Sequence, residues 1–150
     1  MRFIYPLFLL FFSVNLSAQC TVFDLEMLQS IQRAEEWERQ NIVETLGFDL
    51  RVHSAEKVTP AWKRYAKCWK HSAGSTPVYD QLIIMYEGVN SVTFATLDGR
   101  VYQSLRTAIE SRGNGVGSYG DIYIGKMFKY QFSQLPIDGN NYFAVTISPR

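Results

Sequence analysis

Twice along this chain, a segment of helical period ends near a glycine and gives way to a series of β-prone runs. The first spans residues 21–46, before Gly47, and the second spans residues 101–109, before Gly113. This order constrains the fold most, because each block must bury one face of a helix against a sheet. The first segment contains neither Gly nor Pro. Its apolar residues include Leu25, Leu28, Ile31, Ala34, Trp37, Ile42, Val43 and Leu46, mostly three or four apart. That spacing predicts one long helix, with a drift in phase that allows a break near Gln40-Asn41. Thr21 or Asp24 suits its N-cap, Gly47 suits the left-handed C′ position, and Phe48 can fold back on the last turn.

The period then changes. Residues 48–52 alternate apolar and polar, as a half-buried strand does. Thr59-Pro60 interrupts, and residues 62–71, "WKRYAKCWKH", read as a strand or as a short helix running into one. Residues 78–86 and 91–97 are β-prone, with a hairpin loop at residues 87–90. After the Asp98-Gly99 turn, Val101, Leu105, Ala108 and Ile109 mark the second helix. Two short strands follow at residues 122–124 and 127–132, joined by Gly125-Lys126 as a hairpin turn. Residues 135–140 read as a second connection, and residues 142–148 as a closing strand.

Residues 43–47, "VETLG", also resemble residues 109–113, "IESRG". The match is short, so the repeated element order carries the inference. The expected fold is α+β: an antiparallel sheet with two helices packed on one face. The expected order is α-β-β-β-β-α-β-β-β, with a pseudo-repeat of helix plus three strands.

The N-terminus reads as an export signal. Met1-Arg2 is a short positive start, residues 3–12 are apolar apart from Pro6, and small residues end at Ala18. The apolar run falls short of the roughly 20 residues a membrane span requires. Cleavage after Ala18 is therefore expected, leaving one α+β domain over residues 19–150. The alternative is an uncleaved anchor helix. The Asn15-Leu16-Ser17 sequon lies within the segment expected to be removed.

Cys20 follows Gln19, whereas a lipidated cysteine follows a small residue, so lipid anchoring is not expected. Two cysteines then remain in an oxidising compartment, and a Cys20–Cys68 bridge is preferred over free thiols.

The chain carries 15 basic and 14 acidic residues, and losing Arg2 with the signal leaves the remainder formally neutral. Nucleic acid is therefore not an expected partner. The charge is unevenly placed. Asp24, Glu26, Glu35, Glu36, Glu38 and Glu44 dominate the first helical segment, while Arg51, Lys57, Lys63, Arg64, Lys67 and Lys70 dominate the next. Contact between these complementary segments is the simplest explanation.

Gly115 to Gly120 match G-x-G-x-x-G, but the motif leaves a helix and enters a strand. A dinucleotide site needs the reverse order, so that phosphate meets a helix N-terminus. The motif is read as a connection in which Ser118, Tyr119 and Asp121 supply polar contacts. The "WKRYAKCWKH" stretch interleaves rings with cations, a pattern that holds anionic or sugar-like partners. On a strand, Tyr65, Lys67 and Trp69 share one face and Trp62, Arg64 and Lys70 the other. The competing explanation is that the rings enter the core and the Lys stems cover apolar surface.

Catalytic patterns are sparse. His53 and His71 lie in different segments, and Cys68 and His71 would face opposite sides of a strand. No H-E-x-x-H, C-x-x-C or G-x-S-x-G pattern occurs, and no metal-ligand spacing either. The expected function is that of an exported, non-enzymatic binding module without a cofactor. Its partner would be a protein or an anionic glycan or lipid headgroup in the envelope or outside the cell, and an inhibitor or immunity-like role is one form. Tyr65, Lys67, Trp69, Lys70 and Tyr119 are the candidate binding residues. A secreted hydrolase built around His53 or His71 and a structural envelope component are the alternatives.

Overall fold

A computed structural model describes residues 20, 22–54, 58–74, 76–112 and 117–150. The expected signal over residues 1–18 and its cleavage point lie outside them, as do residues 113–116. The elements are α1 (Leu25–Arg33), α2 (Glu36–Thr45), β1 (Asp49–His53), β2 (Trp62–Ala73), β3 (Thr76–Tyr86), β4 (Val92–Thr96), α3 (Gly99–Ser111), β5 (Gly117–Tyr119), β6 (Ile122–Ile124), β7 (Phe128–Ile137) and β8 (Asn140–Pro149).

The long first helix is in fact two. Ala34 and Glu35 adopt extended backbone angles, so the break falls there and not at Gln40-Asn41. The cause is tertiary. The buried Arg39 guanidinium donates to the carbonyls of Gln32 and Ala34, which a continuous helix would have bonded internally. It also donates to Asn90 Oδ1 in the β3–β4 loop, and Gln32 Nε2 reaches the same oxygen at 2.8 Å. Asp24 caps α1 by accepting from Met27 N at 2.9 Å. At the end of α2, Phe48 N donates to Val43 O and Gly47 N to Glu44 O, with Gly47 at φ +85°. That is the Schellman arrangement the Gly47-Phe48 pair anticipated.

The strands form one eight-stranded antiparallel sheet in the order β1-β2-β3-β4-β8-β7-β6-β5. Each half is a meander following its own helical segment, and the halves join where β4 pairs with β8. The expected repeat was right in kind but short by a strand. The glycine-rich stretch read as a connection contains β5, and the first half carries two helices, so the order is α-α-β-β-β-β-α-β-β-β-β. Residues 135–137 are not a connection either. β7 runs on through Pro136 to a two-residue turn at Asp138 and Gly139, both at positive φ. Pro136 is tolerated because β6 pairs only as far as Gln131, leaving that end of β7 as an edge. The β6–β7 link is Gly125 to Met127, one residue longer than expected.

All three helices pack on one face through a single buried cluster. Leu28, Ile31, Val43, Leu105 and Ile109 meet Ile83, Phe94, Val145 and Ile147 there. Phe23 stacks on Phe94 with ring centroids 4.1 Å apart and stands edge-on to Phe48 at 5.9 Å. A disulfide joins Cys20 to Cys68 with Cα atoms 5.6 Å apart, tying the approach to α1 onto β2.

The opposite face holds a smaller cluster of Ala66, Leu82, Ala95, Tyr142 and Ala144. No helix belongs to that cluster. The β7–β8 hairpin instead overhangs β4 and packs Leu135 and Ile137 against it. Tyr142 Oη donates to Tyr79 O at 2.7 Å, and Arg64 Nη2 donates to Asp138 Oδ2 at 2.8 Å.

Candidate functional site

Strand β2 supplies both faces of the sheet. Side chains alternate along it, so Lys63 and Tyr65 lie toward the helices while Trp62 and Arg64 lie toward the hairpin. The aromatic, basic stretch is therefore divided, as alternation predicted, and does not form one patch.

The sequence-derived candidates fare differently. Tyr65 is 0% exposed and belongs to the main core. Lys67 Nζ donates to Leu46 O at 3.1 Å and lies 4.8 Å from the centroid of the Phe48 ring, so it closes the end of α2. Burial lowers its pKa. Both side chains are engaged within the fold, and the Tyr65 ring enters the core. Trp69 is 61% exposed, and Lys70 Nζ stands 3.4 Å from Asp80 Oδ1. Tyr119 falls in β5, and its side chain is outside the described residues. The expected contact of acidic and basic segments is not made by ion pairs among the described residues. Lys63, Arg64 and Lys70 pair with Glu87, Asp138 and Asp80 instead.

A cleft of about 410 Å³ lies between α2 and the β2–β3 ladder. Its walls are Trp37, Gln40, Met85 and Tyr86, and its charged rim is Glu36, Lys63 and Glu87, with Arg39 and Tyr65 deeper. Trp37 is 74% exposed. The reason is its helical phase. In α2 the buried positions become Arg39 and Val43, four apart, and Trp37 turns to the opposite side. Counted at about 100° per residue, Trp37 lies on the far side of the helix from Leu28, whereas spacings of three and four group it with the apolar residues.

The α2 side of the cleft is rich in carboxylates. Glu35, Glu36, Glu38 and Glu44 lie along α2, and Glu87 faces them from the end of β3. Arg39 offsets part of this charge, and its guanidinium is bound to Gln32, Ala34 and Asn90. Burial lowers its pKa, while Glu36 and Glu35 act in the opposite sense. Glu36 Oε1 accepts from Gly88 N at 3.1 Å, which fixes one side of the rim. Lys63 stands 3.8 Å from Glu87. The buried Tyr65 hydroxyl has no hydrogen-bond partner among the described residues. Burial first, and then the charge of Glu44, raise its pKa, so it remains a neutral donor.

Both histidines are exposed. His53 Nε2 is 3.5 Å from Glu87 Oε1 at the surface, and neither His53 nor His71 lines one of the clefts described. Among the described residues no group of three or more His, Cys, Asp and Glu is placed to hold a metal ion, and no helix is long and apolar enough to cross a membrane. Compared with protein families, curated proteins and solved structures, the chain matches none.

Proposed function

We propose that the protein is an exported, non-catalytic binding module that docks a basic segment of an envelope or extracellular protein onto the Trp37 cleft. The exposed Trp37 indole among the α2 carboxylates carries this reading. A Lys or Arg side chain over an indole gains cation–π attraction, and flanking carboxylates add charge complementarity. This departs from the anionic partner that the "WKRYAKCWKH" stretch suggested, because Lys67 is held by Leu46 and Lys70 by Asp80. An inhibitor or immunity-like role remains the concrete form of the proposal. The disulfide and the absence of a membrane-crossing helix among the described residues are compatible with export.

The test is calorimetric titration with a short Arg- and Lys-rich peptide, an acidic peptide of equal length, and a heparin fragment. The basic peptide should bind best, and more weakly as salt rises. Trp37→Ala should weaken it by roughly 2- to 30-fold, the range of a cation–π contact of about 0.5–2 kcal/mol. Preferential binding of heparin or of the acidic peptide, or an unchanged affinity in Trp37→Ala, would contradict the proposal.

A further inference from the structure

The hairpin side of the sheet carries a second cleft, of about 390 Å³. Its walls are apolar or aromatic, formed by Trp62, Ile84, Tyr86, Leu135, Pro136 and Ile137. Its charged residues are Arg64 and Asp138. The Arg64 side chain is only 15% exposed, and of its donors only Nη2 is engaged among the described residues, by Asp138. A second cavity, of about 230 Å³, opens on the other side of the same pair and is also lined by Arg64, Asp138 and Ile137. Arg64 is therefore the cation shared by two apolar recesses.

We propose that this cleft binds a small amphipathic carboxylic acid, its chain along Trp62, Ile84 and Leu135 and its carboxylate on Arg64. The protein itself indicates the chemistry, since Arg64 already holds a carboxylate. Asp138 reaches Arg64 from a two-residue turn, 74 positions along the chain, and its own side chain is 43% exposed. A solvated aspartate gains little from a single-donor pair with a largely buried guanidinium. A ligand carboxylate attached to an apolar chain gains the bidentate contact with Arg64 and also buries its tail. Displacement of Asp138 by the ligand is the binding step. The volume falls within the roughly 300–1,000 Å³ of small-molecule sites, which are mostly apolar with a few placed polar groups. The site shares Tyr86 with the Trp37 cleft but is otherwise fed by the alternate side chains of β2, and it does not depend on the function proposed for that cleft.

The test is titration of the full chain, disulfide intact, with decanoate and with decan-1-ol. Decanoate should bind at least about tenfold more tightly than the alcohol, since a charge-assisted hydrogen bond contributes about 1.5–3 kcal/mol. Arg64→Gln should remove that preference. Asp138→Asn frees Arg64 of its competitor and should tighten decanoate roughly two- to fivefold, the strength of an exposed ion pair. If Arg64→Gln fails to fold, Asp138→Asn decides the matter, because its effect has the opposite sign. Equal binding of acid and alcohol, no decanoate binding to wild type and Asp138→Asn alike, or an unchanged or weaker affinity in Asp138→Asn overturns the proposal. Binding of a free-carboxylate tripeptide in preference to decanoate overturns the choice of ligand.

Discussion

The two faces of this sheet are closed by different means. On one, three helices seal a continuous apolar core in which Leu28, Ile31, Val43, Phe94 and Val145 are wholly buried. On the other, one hairpin leans over a row of small side chains and is held by Leu135, Ile137, the Tyr142–Tyr79 hydrogen bond and the Arg64–Asp138 pair. The first closure is hydrophobic and extensive, so it sets stability. The second is narrow, so it leaves recesses on both sides of Arg64. The Trp37 cleft beside α2 belongs to the rim of the sealed face, and the cleft around Arg64 to the latched face. A single strand, β2, feeds both.

Deleting a ring from the sealed face tests this difference most strongly. Phe94→Ala should cost about 3–5 kcal/mol in urea unfolding, while Leu135→Ala, half-buried in the hairpin, should cost about 1–2. Equal costs would break the distinction. Next in size is the bridge on the helix side. Paired Cys20→Ser and Cys68→Ser should lose about 2–4 kcal/mol, measured in the same way against the oxidised protein. Arg39→Leu should follow, at about 1–3 kcal/mol, because the carbonyls of Gln32 and Ala34 lose their donor.

Smaller again is the cap of α3. Asp98 accepts from Arg100 N at 2.9 Å, and Arg100, through its side chain first and then its backbone, lowers the Asp98 pKa. A carboxylate lowered in the fold adds stability that is complete above its unfolded pKa, about 3.9, and is lost as pH falls through the folded value. Asp98→Ala should therefore cost about 1 kcal/mol at neutral pH and progressively less in acid, read as Tm against pH. The smallest effect belongs to the latch itself. Asp138→Asn should change stability by less than about 1 kcal/mol, so its effect on ligand binding is read on a folded protein.

The periodic elements were legible from the residues alone, because local pattern and burial agree in them. The Gly47-Phe48 stop, the alternation of β2, and the runs that become β3, β4 and β8 all depend on neighbours in sequence. What was not legible depends on distant ones. Arg39 breaks the first helix with the help of Asn90, 51 positions away. Glycines hid β5, and Pro136 looked like a strand end, although β7 passes through it where β6 no longer pairs. Of the two clefts, alternation placed Arg64 opposite Tyr65, but the ring-and-cation pattern drew attention to Lys67, whose partner is a helix carbonyl. Nothing near Arg64 in sequence announced Asp138.

The claim that one strand serves two clefts of opposite preference is tested most directly by amide and side-chain NMR of the labelled protein, titrated in turn with the basic peptide and with decanoate. The account predicts that the peptide shifts the Trp37 indole and the Gln40 amide, that decanoate shifts the Trp62 indole and the Arg64 Nε–H, and that neither ligand displaces the other. Overlapping shifts for the two ligands, or competition between them, would contradict it.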